Sequence, residues 1–324
     1  MMTSEEMLKI INDHLERLSN NREPRHLYEP IEYVLSLGGK RIRPILMLLA
    51  YNMYQEHPED ILMPACAIET YHNYTLLHDD LMDNADIRRG HETVHKRWDA
   101  NTAILSGDSM LVLAYQYMAQ CDTSKLEEVM DVFTTTALEI GEGQQYDMDF
   151  EQRMDVTEDE YIEMIRLKTS VLLACALKIG AILGGASSID ADNLYRFGEK
   201  IGLAFQLQDD YLDVYGNTKV FGKAIGGDIV SNKKTYMLIK ALNLANEQQR
   251  AELIHWIALK QFDKKEKIKS VTALYNAIGV DCIAQNKMSN LFEESKTFLE
   301  KVSVPKEKKQ ELMDYAHWIM KRKK

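Results

Sequence analysis

Residues 63–83 read MPACAIETYHNYTLLHDDLMD, an apolar stretch without glycine that ends in three aspartates. Its apolar residues recur at helical spacing, and AIETYHNYTLLH reads as a helix heading into a core. Asp79 and Asp80 then place adjacent carboxylates at the end of a buried helix, where they repel each other and are costly to dehydrate. Arg88 and Arg89 follow within a few residues, so the stretch asks what holds such a cluster together.

The rest of the chain repeats the helical pattern. SEEMLKIINDHLERL carries Met7, Ile10, Ile11, Leu15 and Leu18 on one stripe, with Ser4 as the expected N-cap. LYEPIEYVLSL stops at Gly38-Gly39, and RPILMLLAYNMY has Pro44 near its start, where proline is tolerated. Residues 101–121, 125–150, 157–185 and 190–216 read as further long helices. The second half of 157–185 is apolar on most faces and is expected at the centre. From Lys233 onward the chain reads as several amphipathic helices. No alternating strand pattern of useful length and no hairpin turn between such runs is evident. With only 16 Gly and 6 Pro in 324 residues, composition favours helix almost throughout. One all-α domain over 1–324 is the expectation.

A net charge of −11 argues against general nucleic-acid binding, which needs a basic surface. The tail MKRKK is basic but short and reads as a solvated helix end. Cys66, Cys121, Cys175 and Cys282 form no CxxC pair and are expected as free, buried thiols in a reducing compartment. The amphipathic, acidic N-terminus does not read as a signal peptide, and no apolar run of about 18 residues is uninterrupted. A cytoplasmic protein without a transmembrane segment is expected.

The acidic motif recurs. QDDYLD sets Asp209, Asp210 and Asp213 at the same i, i+1, i+4 spacing as Asp79, Asp80 and Asp83. On a helix, i and i+4 share a face, so each motif aims at least two carboxylates at one point. One copy alone could be a solvated patch. Two copies with apolar flanks need a compensating cation. Hard oxygen donors without Cys or a spaced His set suit Mg²⁺ or Mn²⁺, and Mg²⁺ usually shares its shell with substrate phosphates.

Basic groups complete the pattern. Arg88 and Arg89 suit a polyanion, because guanidinium groups bind phosphate oxygens in pairs. LGGKRIRP holds Lys40, Arg41 and Arg43, either as solvated loop charges or as an anion site. Lys168, beside Thr169, either snorkels out of its helix or faces a phosphate. FGKAIGGDIVSNKKT, with Lys223, Lys233 and Lys234, is a surface loop or a loop closing over phosphates. It is not a Walker loop. Two acidic clusters and several separate basic sites point to two anionic substrates, one metal-bound and one held by basic groups alone.

In combination and order, GGKRxRP, DDxxD followed by RRG, a lone KT, FQxQDDxxD and GK with a further Lys resemble the trans-isoprenyl diphosphate synthases, the head-to-tail polyprenyl synthases, over essentially the whole chain. The resemblance implies a bundle of about a dozen helices around a central cavity, in a homodimer. It implies that Asp79, Asp80, Asp83, Asp209, Asp210 and Asp213 coordinate three Mg²⁺ ions bridging an allylic diphosphate. Arg88, Lys168, Thr169, Gln206, Lys223 and Lys233 would hold that diphosphate, and Gly39, Lys40, Arg43, His72 and Arg89 would hold isopentenyl diphosphate. Gln144 and Asp147 match a polar GQxxD element on the metal side.

The implied chemistry is ionisation of the allylic diphosphate, attack by the isopentenyl double bond and loss of a proton, with pyrophosphate as acceptor. The side chain five before the first Asp often floors the cavity in this family. Here it is Tyr74, with Tyr71 and Thr75 beside it. Tyr74 and Tyr71 could equally be core aromatics. An aromatic floor and an uninterrupted DDLMD look like synthases making a C20 product, with C15 next. A class I terpene cyclase and a non-catalytic regulatory subunit are the competing readings. Lys40, Arg43 and the complete second DDxxD argue against the first, and the six intact acids of the two motifs against the second.

Overall fold

The computed structural model describes residues 2–18, 22–216 and 225–321. Among them the chain is helical except for one hairpin, with a 3₁₀ turn (Pro58–Ile61) leading into the helix that starts at Leu62. In order the elements are α1 (Ser4–Leu18), α2 (Arg25–Ser36), α3 (Ile42–Asn52), α4 (Leu62–Met82), β1 (Ile87–Arg88), β2 (His91–Glu92), α5 (Val94–Arg97) and α6 (Ala100–Met118). Then come α7 (Leu126–Glu151), α8 (Glu158–Ile165), a π turn (Arg166–Ser170), α9 (Val171–Gly184) and α10 (Ser188–Tyr215). The last six are α11 (Gly227–Ser231), α12 (Tyr236–Leu244), α13 (Glu247–Ala258), α14 (Lys264–Ile278), α15 (Val280–Lys301) and α16 (Lys306–Met320).

The hairpin escapes a sequence reading because its strands are two residues long, too short for any alternation to register. Arg89 and Gly90 form its turn, both with positive φ (53° and 80°), the pairing a tight two-residue hairpin needs. The first helix also differs from expectation. Its N-cap is Thr3 rather than Ser4: the Thr3 hydroxyl accepts from Glu6 N–H at 3.3 Å, and the Glu6 carboxylate accepts from Thr3 N–H at 2.8 Å. Such a reciprocal box requires an acid three residues on, and Ser4 has none.

The chain forms two compact units. Unit 1 comprises Met1–Thr135, Leu172–Tyr195 and Lys301–Tyr315. Its α4 packs most extensively against α6. The whole of α3 from Pro44 to Asn52 is buried, as are Ala174, Cys175, Leu177 and Ile179 of α9. An aromatic cluster sits beside α4. Phe133 meets Tyr71 edge-on at 5.4 Å and Tyr115 at 5.1 Å, and Tyr74 lies 5.4 Å from Tyr71.

Unit 2 comprises Thr136–Val171, Arg196–Glu300 and Ala316–Lys324. Its core joins Tyr161 and Ile165 of α8, Leu203 and Leu207 of α10, Tyr236 and Leu238 of α12, Leu253 of α13, Tyr275 of α14 and Leu291 of α15. The α8 start is fixed by a second capping box, Thr157 with Glu160. The π turn that follows is flanked by two glycines. A Cβ on Gly143 would sit 2.4 Å from Lys168 N, and one on Gly202 would sit 2.6 Å from Ser170 Cα. Backbones therefore approach the turn closely on two sides and set where Lys168 and Thr169 stand. A π turn inside a helix is a common mark of a functional site.

Cys66, Cys121 and Cys175 are buried free thiols as expected, but Cys282 is exposed. It falls on the outward side of amphipathic α15, where apolar neighbours in sequence do not imply burial. The segment Glu158–Gly184 is long and apolar enough to cross a membrane by length and composition, with mean hydropathy 1.7 in its best window. That window is 78% buried by protein, as in a core helix.

Candidate active site

In unit 1 the first acidic motif closes α4. Asp79 and Asp80 occupy its last turn and Asp83 is its C-cap. The three acids are treated differently. Asp80 is buried, and Arg88 Nε donates to both its oxygens at 2.7 Å. Asp79 lies 3.5 Å from the same guanidinium with its side chain 20% exposed, and Asp83 is exposed. The i, i+4 pair is therefore the accessible one, while the middle acid is engaged by protein.

Burial raises the Asp80 pKa, against the pull of Arg88, and the neighbouring Asp79 raises it further. Burial works against the Arg88 charge, but Asp80, Asp79 and Asp83 together raise its pKa. Arg88 reaches the acids because the hairpin is tied back to α4. Ala85 N–H donates to Asp80 O at 2.9 Å, and the Thr93 hydroxyl donates to Ala85 O at 2.6 Å.

Arg89, the next residue, turns to a different partner. Its guanidinium donates to the Gly38 carbonyl and lies against Gly39, where a Cβ would be 3.0 Å from Cζ. Gly39 also has φ 135°, so glycine is required there twice over. Arg43 Nη1 donates to His72 Nε2 at 3.0 Å. Arginine has no acceptor, so the His72 proton sits on Nδ1. Burial and then Arg43, Arg89, Arg88 and Arg41 hold the His72 pKa well below its usual value, and the ring is neutral. Lys40 is exposed beside this group.

Arg41 departs from the basic cluster that the sequence suggests. It is buried and donates to Glu69 at 2.7 Å, to Leu35 O at 2.6 Å and to Asn12 at 3.1 Å. It is a structural ion pair, which alternation of neighbours along GGKRIR could not reveal. The floor candidates divide too. Tyr71 is buried in the aromatic cluster, whereas Tyr74 is partly buried and meets His78 at 4.9 Å. The Thr75 hydroxyl donates back to His72 O at 2.8 Å.

In unit 2 the second motif lies near the end of α10. Asp210 is buried, the Tyr161 hydroxyl donates to its Oδ2, and Gln206 Nε2 donates to Oδ1 at 3.2 Å. Thr169 donates to Gln206 Oε1 at 3.1 Å, so one hydrogen-bonded line runs Thr169–Gln206–Asp210–Tyr161. Asp209 and Asp213 are partly exposed, and Asp213 accepts from Asp228 N–H at 3.0 Å. Burial and then Asp228 raise the Asp210 pKa to about 7, against Tyr161, Lys233 and Gln206.

Lys168 Nζ lies 2.7 Å from Asp147, and Lys233 Nζ lies 3.7 Å from the same carboxylate. Burial opposes the Asp147 charge, yet Lys233 and Lys168 hold its pKa below the usual range. Gln144 stands one turn earlier on α7 and is partly buried. Lys223 lies outside the described residues.

Two partners were not legible as site residues. Tyr161 precedes Lys168 by seven, which puts both on one helix face, but nothing in sequence marks a tyrosine as a carboxylate partner. Asp228 contributes its backbone N–H to Asp213 and its charge to the raised Asp210 pKa, and nothing in the sequence marks either role.

Both acidic motifs offer oxygen donors only, which fits a hard divalent cation. Among the described residues no group of three or more His, Cys, Asp or Glu is arranged to hold a metal by itself. A cation here would draw the remainder of its shell from water and phosphate oxygens, the usual habit of Mg²⁺. Asp79 and Asp83 in one motif, and Asp209 and Asp213 in the other, are the acids open to it.

The family model described as Polyprenyl synthetase matches residues 24–275. A short chain isoprenyl diphosphate synthase of Methanothermobacter thermautotrophicus is 44% identical over 232 residues, 71% of this chain and 71% of the relative. A geranylgeranyl diphosphate synthase of Methanosarcina mazei is 44% identical over 220 residues, 67% of this chain and 68% of the relative. A crystal structure of a geranylgeranyl pyrophosphate synthase is 42% identical and superposes with a TM-score of 0.95, covering 100% of both chains.

Proposed function

The chain belongs to the polyprenyl synthetase family, and on that premise we propose that it condenses isopentenyl diphosphate head-to-tail with an allylic diphosphate in a Mg²⁺-dependent reaction. The observation that carries this reading is the divergence of two adjacent arginines. Arg88 engages the acids of the first motif, whereas Arg89 engages the Gly38-Gly39 loop. One hairpin thus serves two anion addresses, which a two-diphosphate reaction needs and a cyclase does not.

Bound Mg²⁺ would neutralise charge on the departing diphosphate; Asp79 and Asp83 of the first motif and Asp209 and Asp213 of the second are the acids accessible to it, while Asp80 and Asp210 are held by protein partners. Arg88 beside the first motif, and Lys168 and Lys233 beside Asp147 in the other unit, would supply fixed positive charge to phosphate oxygens, the form of stabilisation that contributes most to such a step. Lys40, Arg43, His72 and Arg89 hold the second diphosphate. Neutral His72 lets Arg43 keep its full charge for phosphate. Thr169 and Gln206 present neutral polar groups to the site. The proton released on condensation is assigned to the departing pyrophosphate, the anion that the ionisation itself produces. Tyr74 and Tyr115, packed on buried Tyr71 and Phe133, form an aromatic wall beside α4, suited to a growing hydrocarbon and to excluding water from a carbocation. With Tyr74 as the floor, the expected product is C20, then C15. Exposed Ile104, Leu105 and Val112 along α6 support association of two copies.

The test is to incubate the purified protein with Mg²⁺, isopentenyl diphosphate and dimethylallyl, geranyl or farnesyl diphosphate in turn, and to size products by mass spectrometry. Condensation lost on EDTA addition is expected. Hydrocarbon release from farnesyl diphosphate alone would instead identify a cyclase, and no turnover by the homomeric protein a regulatory subunit. Light scattering of the same sample reads the oligomeric state.

A further inference from the structure

Arg89 reaches its address through a buried network centred on Glu69. Glu69, Asn73 and Arg41 are 2%, 0% and 4% exposed. Glu69 Oε1 accepts from Arg41 Nη1 at 2.7 Å and from Asn73 Nδ2 at 3.0 Å, and Asn73 Nδ2 also donates to Glu69 O at 2.8 Å. With both acceptors on one side, the Asn73 amide has a single sensible orientation. Its NH₂ faces Glu69 and its oxygen faces outward, where it accepts from Arg89 Nη1 at 3.5 Å.

The same Nη1 donates to the carbonyl of Gly38. That loop is itself pinned by Arg41, the left-handed N-cap of α3, whose guanidinium ends on Glu69 and on Leu35 O. Both acceptors that aim Arg89 therefore trace back to one buried carboxylate. An arginine on an exposed turn has many rotamers to lose on binding phosphate. Two fixed acceptors on Nη1 hold the guanidinium in one orientation and leave Nε and Nη2 as donors for phosphate.

Building on the reading above, we propose that Asn73, oriented by the buried Arg41–Glu69 pair, is the positioning residue for Arg89 and thereby sets affinity for isopentenyl diphosphate without touching it. A merely structural asparagine would weaken both substrates or neither. Asn73 acting through Arg89 weakens one.

The experiment is steady-state kinetics of wild type, Asn73→Ala, Arg89→Ala and the double variant, each substrate varied with the other saturating. Asn73→Ala is expected to raise KM for isopentenyl diphosphate about tenfold while KM for the allylic diphosphate and kcat move less than about twofold. In the Arg89→Ala background the same change should add less than about twofold, because the intermediary is gone. Equal rises in both KM values, or independent effects of the two substitutions, would overturn the assignment. If Asn73→Ala loses its cooperative melt, Asn73→Ser replaces it under the same criteria. Should wild type fail to condense the substrates, the reading under Proposed function falls. Calorimetric titration of isopentenyl diphosphate into wild type and the Asn73 variant then decides the positioning role, a tenfold loss supporting it and equal affinity refuting it.

Discussion

The two acidic motifs share a spacing and differ in what neutralises their middle acid. In the first, buried Asp80 is met by a guanidinium, with Arg88 donating to both oxygens at 2.7 Å. In the second, buried Asp210 is met by neutral donors, Tyr161 and Gln206. A charged partner compensates the middle acid of the first motif, although burial still raises its pKa. The second keeps an undercompensated carboxylate, which is why its pKa rises to about 7. The same five-letter pattern therefore describes one motif whose middle acid is paired with a guanidinium and one whose middle acid is held by neutral donors, while both leave their outer acids open to an incoming cation.

The contrast can be broken or sharpened in four ways. The largest effects should come from the accessible acids, where the two motifs ought to behave alike. Asp79→Ala and Asp209→Ala are each expected to lower condensation at least about a thousandfold, equivalent to about 4 kcal/mol of transition-state stabilisation, with unchanged circular dichroism. Near-wild-type turnover by either would remove that acid from the metal-binding set.

The middle acids should separate the motifs. Arg88→Met leaves a buried carboxylate without its cation and should lose about 3 kcal/mol in urea unfolding. Tyr161→Phe removes one neutral donor and should lose about 1 kcal/mol. Equal losses would mean that the partner's charge is immaterial.

Tyr74→Ala tests the wall next to the first motif. Its products, sized by mass spectrometry, should lengthen by one or two C5 units, whereas Tyr71→Ala should mainly destabilise, by about 3 kcal/mol, since that ring is part of the packed cluster. Unchanged product length in Tyr74→Ala would rule out the floor role.

The smallest effect concerns pH. His72 has a folded-state pKa below its ordinary 6.5, so the unfolded chain binds the extra proton first. The stability this confers is complete above about pH 6.5 and is lost as pH falls from there. Between about pH 7 and about pH 5.5 the loss should be about 1 kcal/mol, and His72→Gln should flatten it. Asp147 in the other unit, depressed in the usual carboxylate sense, should affect stability only below about pH 4. A slope unchanged in His72→Gln would show that the ring is not the titrating group.

Much of this was legible beforehand because helical proteins write their pattern locally. Apolar periodicity, Gly38-Gly39, Pro44 and the twin DDxxD runs are each a matter of neighbours within one or two turns. They sufficed to place the all-α fold and the acids, lysines and arginines of the candidate site. The hairpin was not legible, since two-residue strands carry no period. Nor was the burial of Arg41, because its partner Glu69 lies 28 residues away.

By itself, then, the sequence determined which side chains could do the chemistry and on which helices they ride, since both follow from spacing along one chain. Tertiary structure alone decided how neighbours with one identity divide their labour: Arg88 onto acids and Arg89 onto a glycine loop, Asp80 under a cation and Asp210 under a tyrosine. The reason is physical. Burial and partner charge depend on groups brought together from distant positions, and those terms, rather than residue type, set what a carboxylate or guanidinium does.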